Sequence, residues 1–253
     1  MSLSKRRTVA YPHRLFNKAS IFLSKLEPFE SAYKSITMID ADTKLIVSSN
    51  HLLTPKDGRI FDYVLSRIQA TRPHTRTMEL DTKDIIEELG MKNRTENRKM
   101  IINSLIKLTN LQVELNWSEG LIRIAFFESV ESLDGTLTVR VTLSNSFVEA
   151  MDPDVAKTRY INIGYTMQAK SVYAIELAKL LQIDGQGVEI QTGKPKPVRQ
   201  IQHSRICRFL GLDADINNNS SKAQLRKAFN ELEMCGYPIY RLNTRREHWK
   251  IHS

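Results

Sequence analysis

The feature that most constrains the fold of this chain is a local pattern that occurs twice. An amphipathic helix ends at Leu89-Gly90-Met91, and a later one ends in the same way at Leu210-Gly211-Leu212. In each copy a polar turn leads into a second helix with the same apolar spacing: Ile101, Leu105 and Leu108 correspond to Leu225, Phe229 and Leu232. Agreement between helix order, glycine stop and apolar register favours a duplicated structural unit over a chance match.

The elements that precede the turn of each copy can be predicted from helix-end signals. Thr54 followed by Pro55 predicts a helix start, because threonine is a good N-cap and proline is tolerated in the first turn. A short strand at 77–80 follows, and Asp81 is placed to cap the next helix. In the second copy, the apolar positions of 165–182 predict the equivalent of the first helix.

Alternation of apolar and polar residues predicts strands after the last helix of each copy. Residues 111–127 alternate on both sides of a turn at Ser118-Glu119-Gly120, which predicts a hairpin. In the second copy, residues 237–239 continue the same phase and a basic hairpin covers 241–250. Helix, strand, helix, turn, helix and hairpin is the order of the winged helix. We therefore predict an α+β fold with two tandem winged-helix domains, each a helix-turn-helix plus a β-hairpin.

The predicted domain boundaries follow from this repeat. Residues 1–50 have no clear core pattern and are predicted to be an N-terminal basic arm. Residues 51–152 are predicted to form the first winged-helix domain. Asp152-Pro153-Asp154 then interrupts the periodicity, so residues 153–253 are predicted to form the second domain, the principal DNA binder.

The positive charge of the chain is concentrated at its ends. The net charge is +9, yet residues 194–253 alone contain 12 Lys and Arg against 5 Asp and Glu. Such an asymmetry favours a polyanionic partner, first nucleic acid and second an acidic membrane surface. No apolar stretch approaches the roughly 18 residues that a membrane helix needs, so we expect a cytoplasmic protein.

The second helix-turn-helix carries the predicted DNA-contacting residues. Glutamine and asparagine can bind adenine, arginine can bind guanine, and lysine more often meets phosphate. With the apolar stripe facing inward, the predicted contacts on the helix are Lys222, Gln224, Arg226, Lys227 and Asn230, and those on the hairpin are Arg241, Arg245, Arg246 and Lys250. The alternative is a merely solvated helix face. Trp249 alternates with polar neighbours and is predicted to be a partly buried anchor.

The first helix-turn-helix is predicted to bind DNA more weakly. Its candidate contacts are Lys92, Arg94, Asn97 and Arg98. The tip of its predicted hairpin contains Glu119 and no cation, so this hairpin should not hold phosphate strongly. The apolar Phe126 and Phe127 favour core packing, with a protein interface as the alternative.

Patterns typical of catalysis are weak in this sequence. Gly187 and Gly193 before Lys194 have the wrong spacing for a phosphate-binding loop, and Pro195 replaces its Ser or Thr. The histidines form no His-x-His pair, which a nicking enzyme of the relaxase type would need. We expect no catalytic residue, metal or cofactor. Both cysteines are expected to be buried reduced thiols.

With its duplicated unit, Leu-Gly turn entries and basic C-terminal helix and hairpin, the chain resembles the replication initiators of iteron-containing bacterial plasmids. The resemblance covers about residues 50–253. It implies that the protein initiates plasmid replication by binding double-stranded origin repeats through its second domain. The first domain would contact flanking DNA or mediate dimerisation, and a homodimer and host replication proteins are candidate partners. A winged-helix transcriptional regulator is the alternative function.

Overall fold

The computed structural model describes residues 8–12, 20–23, 26–30, 32–39, 41–70, 75–118, 120–133, 137–151, 158–185, 188, 194–196, 200–239, 241–245 and 248–252. The chain forms two compact units. The N-terminal unit is Ser24–Lys157, and the C-terminal unit combines Met1–Leu23 with Thr158–Ser253. The N-terminal unit is therefore inserted, in chain order, between two segments of the C-terminal unit.

This division corrects the predicted boundaries at both ends of the 1–50 segment. Residues 8–12 pair with a strand of the C-terminal unit, whereas strands between 27 and 49 belong to a sheet of the N-terminal unit. The physical reason is that a strand is stabilised by backbone hydrogen bonds to a partner strand that can be distant in sequence. The alternation of residues within one strand does not identify that partner. The α+β class and its winged helices are confirmed, but the two units are not simply tandem.

The first three helices of the N-terminal unit begin where the sequence signals predicted, and the sequence did not predict the fourth. The helices are α1 (Pro55–Ala70), α2 (Thr82–Glu88), α3 (Thr95–Thr109) and α4 (Asn145–Ala150). Ahead of α1, the backbone N–H of Thr54 donates to Asp57 Oδ2 at 2.6 Å and its hydroxyl donates to the same oxygen at 2.9 Å. Asp81 caps α2 by accepting from the Lys83 N–H at 2.7 Å. These bonds satisfy donors that have no partner inside the helix.

The smaller sheet of the N-terminal unit completes its winged helix. It contains β5 (Thr77–Asp81), β8 (Phe127–Ser132) and β9 (Thr138–Leu143) in the order β5-β9-β8, all antiparallel. The wing is therefore the β8–β9 hairpin. Its tip, at 134–136, lies outside the described residues.

The larger sheet uses the hairpin that the sequence had suggested as the wing. It contains β2 (Glu27–Phe29), β3 (Ala32–Met38), β4 (Lys44–Ser49), β6 (Gln112–Trp117) and β7 (Gly120–Ala125), in the order β2-β3-β4-β6-β7. The prediction that 111–127 is the wing is thus wrong. Val113 lies opposite Val47 and Leu115 opposite Leu45, so β6 and β4 pair edge to edge and share one buried apolar face.

The core of the N-terminal unit contains a cluster of phenylalanines. Phe61 on α1 lies 4.7 Å from Phe126, 5.8 Å from Phe127 and 5.5 Å from Phe147, measured between ring centroids. All four rings are buried, and rings at these separations attract one another in tilted and edge-on arrangements. The predicted core packing of Phe126 and Phe127 is confirmed.

The C-terminal unit contains a second winged helix of the same topology. Its elements are β1 (Thr8–Pro12), β10 (Thr158–Asn162), α5 (Gly164–Gln168), α6 (Val172–Asp184), β11 (Gln200–Gln202), α7 (His203–Leu210), α8 (Asn219–Met234), β12 (Arg241–Arg245) and β13 (His248–His252). The sheet order β11-β13-β12 repeats β5-β9-β8. Tyr237 and Ile239 are buried in the predicted phase, but residues 237–239 form no strand, so the predicted strand there is wrong.

The two glycine stops have the same geometry, which confirms the central part of the repeat. Gly90 has φ +65° and Gly211 has φ +66°, a region that glycine enters without a Cβ penalty. Beyond them, Met91 N–H donates to Ile86 O at 2.9 Å and Leu212 N–H donates to Cys207 O at 2.8 Å. Both helices thus end in the same six-residue hydrogen-bonded loop. No helix among the described residues meets the length and hydropathy that a membrane span requires.

Candidate nucleic-acid interface

The second helix-turn-helix consists of α7, a turn and α8. The inward side chains of α8 are buried as predicted: Leu225, Ala228, Phe229 and Leu232. They pack with α6, α7 and Trp249 in one hydrophobic core. Burying one stripe of α8 leaves its opposite face to the solvent, which is the geometry that a groove-binding helix needs.

Asx hydrogen bonds fix the turn before α8. Asp213 Oδ1 accepts from the Asp215 N–H at 2.9 Å, and its Oδ2 accepts from Asn218 Nδ2 at 2.8 Å. Asn218 then caps α8 by accepting from the Ser221 N–H at 3.0 Å. The cap of α8 is therefore Asn218, immediately before the first residue of the helix. The hydrogen bond from Asp215 is the main cause that holds the pKa of Asp213 below its usual value.

Three of the five residues on α8 that were predicted to contact DNA are exposed to solvent. Arg226, Lys227 and Asn230 are exposed, whereas Lys222 and Gln224 are half-buried. The Oε1 atom of Gln224 is shielded from solvent and has no hydrogen-bond partner within the described part of the chain. An unpaired buried carbonyl oxygen costs roughly 1–3 kcal/mol, so this amide gains if it finds a donor.

The helix is held in place from its far end by Glu231. Its Oε1 accepts from the backbone N–H of Ser171 at 2.9 Å and also from that of Lys170. These bonds lie just ahead of α6, so α8 caps its neighbour. Burial alone would raise the pKa of Glu231, but the hydrogen bonds from Ser171 and Lys170 outweigh it and lower the pKa.

The wing of the C-terminal unit is the β12–β13 hairpin. Arg241 and Arg245 lie on β12 and Lys250 lies on β13, opposite Asn243. Because successive strand positions alternate between faces, these positions belong to the face opposite Trp249. Their side chains lie outside the described part of the structure, and so does Arg246. Their predicted role in DNA contact stays a prediction.

Trp249 joins the wing to the helices and is buried as an anchor. Its Nε1 donates to His203 Nδ1 at 3.0 Å, and its ring stacks on Phe229 with 5.1 Å between centroids. Only 1% of Trp249 is exposed. The prediction of an anchor is confirmed, and its burial is more complete than predicted.

His203 is uncharged in this arrangement. Its Nδ1 accepts from Trp249 and so carries no proton, and burial lowers its pKa below the usual value. Cys207 Sγ lies 3.4 Å from His203 Nε2, and burial raises the thiol pKa to about 11. Cys207 and the half-buried Cys235 are both free, so the prediction of reduced thiols is confirmed, although Cys235 is not fully buried.

In the first helix-turn-helix, two of the four predicted DNA-contacting residues form hydrogen bonds within the turn. Lys92 and Arg94 are exposed. By contrast, Asn97 Nδ2 donates to the Lys92 carbonyl at 2.6 Å, and Arg98 Nε donates to Asn93 Oδ1 at 2.9 Å. Asn97 and Arg98 are half-buried, so the structure gives these two a bracing role that the sequence did not predict.

The wing of the N-terminal unit has its cation already paired. Arg140 on β9 lies 2.7 Å from Glu79 and 3.4 Å from Glu131. Hydrogen bonding to Glu79 is the main cause that raises the pKa of Arg140. The expectation of weaker DNA binding relied on Glu119, which lies in the hairpin of the larger sheet and not in the wing. We keep the expectation for another reason, which is that Arg140 on the wing is already paired with carboxylates. Within the described residues, no cluster of His, Cys, Asp and Glu could hold a metal ion.

Two winged helices, one with an exposed basic recognition helix, define a DNA-binding protein of the double winged-helix class. A family model described as Initiator Replication protein, WH1, matches residues 38–182, more than half of the chain. The chain therefore belongs to the initiator replication protein family. This confirms the resemblance drawn from the sequence.

Solved structures share the fold at low sequence identity. The crystal structure of the Pi initiator protein in complex with iteron DNA matches with a TM-score of 0.59 and 11% identity, over 98% of this chain and 99% of that chain. Domains 2 and 3 of RctB match with a TM-score of 0.58 and 13% identity, over 92% of this chain and 86% of that chain. Among curated proteins, none matches.

Proposed function

We propose that this protein initiates plasmid replication in the cytoplasm by binding repeated double-stranded origin sequences, with the C-terminal unit as the main contact. The observation that carries the proposal is the exposed set Arg226, Lys227 and Asn230 on α8, beside a wing that Trp249 anchors. The Pi initiator, which has a similar fold, was solved with iteron DNA. No catalytic step is part of the proposal.

Gln224 supports base recognition by the same helix. Its unpaired Oε1 would gain a donor if the amide turned toward a groove, and a glutamine can bind adenine in bidentate fashion. Gln224→Ala and Asn230→Ala should each weaken cognate binding by about 1–3 kcal/mol and change binding to random DNA little. Arg245→Ala and Arg246→Ala should weaken both alike. Equal losses on cognate and random DNA in the first pair would contradict base contact.

Footprinting on DNA that flanks the gene tests the proposal against a transcriptional regulator. Protected tandem direct repeats support an initiator, and a single inverted repeat supports the regulator. The candidate phosphate contacts are Lys222, Arg226, Lys227, Arg241, Arg245, Arg246 and Lys250. Each phosphate contact contributes about −0.9 to the slope of log K against log salt concentration. The logarithm of the binding constant should therefore fall by roughly 4 to 6 for each tenfold rise in salt concentration. A slope shallower than about −2 contradicts the proposal.

The outer face of the larger sheet is proposed as the homodimer surface. Ile36 and Met38 on β3 and Leu121 on β7 are each more than half exposed there, and the charged pair Glu114–Arg123, 2.7 Å apart, lies on the same face. A face that combines exposed apolar side chains with both signs of charge is complementary to a second copy of itself. Sedimentation of Ile36→Lys should show a shift to monomer, while Ile106→Lys on α3 should not. An unchanged dimer would contradict the surface.

Host replication proteins are proposed as further partners on the strength of the family alone. Binding of purified host initiation factors to the wild-type chain would support this part of the proposal.

A further inference from the structure

Residues 20–22, close to the N-terminus, are buried in the C-terminal unit. Ser20 is 3% exposed, Ile21 2% and Phe22 4%. Earlier in the same segment, all five residues of β1 pair with β10. The segment is therefore part of the folded unit. The basic arm that the sequence suggested would instead have left these residues in solvent.

Ser20 completes the end of α7. The last carbonyls of a helix have no partner within it and must be satisfied from elsewhere. The Leu212 N–H donates to the Cys207 carbonyl and the Gly211 N–H donates to the Arg208 carbonyl, as in any helix that ends at such a glycine. The next carbonyl, that of Phe209, accepts from the Ser20 N–H at 2.9 Å. A residue from the other end of the chain thus supplies a donor at the helix that precedes the DNA-binding turn.

The Ser20 hydroxyl and the Phe22 ring also contact a buried ion pair on α6. Lys179 Nζ lies 3.1 Å from Glu176 Oε1, and both side chains are about 5% exposed. Ser20 Oγ donates to Glu176 Oε2 at 2.7 Å, and Lys179 Nζ lies 5.4 Å from the centroid of the Phe22 ring. A buried ion pair is favourable only when its remaining hydrogen-bonding groups are satisfied. Ser20 and Phe22 therefore compensate charges that α6 could not bury alone.

We infer that Ser20 and Phe22 are positioning residues for the DNA-binding helix-turn-helix, because Ser20 bonds both α7 and α6 and Phe22 packs beside it against Lys179 on α6. DNA affinity of the C-terminal unit then depends on residues from the opposite end of the chain. The DNA part of this inference rests on the proposed function, whereas the structural part does not.

Hydrogen exchange of full-length variants tests the structural part. In Phe22→Ala, the amides of α6 and α7 should exchange about a hundredfold faster or more, because a large buried ring is lost. Ser20→Ala keeps the backbone bond to Phe209 and removes only the hydroxyl bond to Glu176, so it should have a smaller effect of about tenfold. The amides of α1 and α3 should be unchanged in both variants. Phe29→Ala removes an exposed ring in the N-terminal unit and is the matched control. Unchanged exchange in α6 and α7 overturns the inference.

A nicked chain provides a test that needs no substitution in the segment. A protease site is inserted between Leu23 and Ser24 and cleaved in the folded protein. The peptide of residues 1–23 should coelute with the remainder in native buffer and separate in denaturant. Separate elution in native buffer overturns the inference.

Titration with origin-repeat DNA tests the positioning role. Ser20→Ala should raise Kd three- to tenfold at a temperature where the chain stays folded, and Phe29→Ala should not. Faster exchange in α7 with unchanged Kd overturns the positioning role. A wild-type chain that binds no repeat DNA overturns the proposed function instead, and the exchange result still decides whether Ser20 and Phe22 hold α7.

Discussion

The two winged helices of this protein share a backbone design and differ in how they use their charges. In both, the first helix of the helix-turn-helix ends at a glycine with positive φ, and the three strands of the sheet follow the same order. In the N-terminal unit, however, Arg140 is bonded to Glu79, and Arg98 is bonded within the turn. In the C-terminal unit, Arg226 and Lys227 are exposed on the helix that faces solvent. The comparison teaches that two copies of one scaffold can engage their cations differently, and we expect the copy with Arg226 and Lys227 exposed to bind DNA more strongly.

The largest expected effect is a loss of stability confined to one unit. Trp249→Ala removes a buried ring that joins the wing to α7 and α8, and should cost about 3–5 kcal/mol of the free energy of unfolding of the C-terminal unit. Phe61→Ala should do the same to the N-terminal unit. Denaturant unfolding with exchange measured separately in each unit checks this, and equal losses in both units for either variant would contradict independent cores.

The next effect distinguishes the two recognition helices. Reversing charge with Arg226→Glu and Lys227→Glu should weaken origin DNA binding by about a hundredfold or more, because two contacts become repulsive. The matched pair Lys92→Glu and Arg94→Glu should weaken it by less than about tenfold. Fluorescence titration at fixed salt measures both. A larger loss from the N-terminal pair would reverse the comparison.

Acid should weaken the C-terminal unit selectively through His203. Burial lowers the folded-state pKa of His203, so the unfolded chain binds more protons as the pH falls below about 6.5. Stability should therefore be complete above that pH and decline below it, by at most about 1.4 kcal/mol per pH unit. Asp213, Asp215 and Lys222 also act on this imidazole. His203→Gln should remove the decline, and a decline that persists in this variant assigns it to another group.

The smallest effect should be equal in the two copies. Asp81→Ala removes the bond that caps α2, and Asn218→Ala removes the bond that caps α8 together with the bond from its Nδ2 to Asp213. Because that second bond lies in an exposed turn, each variant should cost about 1 kcal/mol. Thermal unfolding of each unit measures both. A markedly larger loss for Asn218→Ala would show that the Asx turn as a whole, and not the cap alone, holds α8.

The helical half of each winged helix could be predicted from sequence because its signals are local. Asp81, Gly90 and Gly211 act through bonds to residues a few positions away. The strands could be found by alternation, but their partners could not. Residues 112–125 look like a wing in sequence, and only their pairing with β4 assigns them to the larger sheet.

The predicted burial and exposure of the helix residues were correct where helix periodicity decided them, and their contact with DNA stays a prediction. The inward stripe of α8 and the exposure of Arg226 and Lys227 follow from a period of 3.6 residues. The bonding of Asn97, Arg98 and Arg140 does not, because a polar side chain forms a hydrogen bond only where the folded backbone brings a partner within reach. The burial of Ser20 and Phe22 was missed for the same reason.

The sequence by itself determined the duplicated helix-turn-helix, its glycine stops and the excess of positive charge at the C-terminus. These depend on propensity, capping and composition, which act over a few residues. The tertiary structure alone decided that β1 belongs with β10, that the N-terminal unit is inserted into the C-terminal one, and that Ser20 completes α7. Those outcomes depend on hydrogen bonds and buried charges between residues more than a hundred positions apart, whose free energy exists only once the chain has folded.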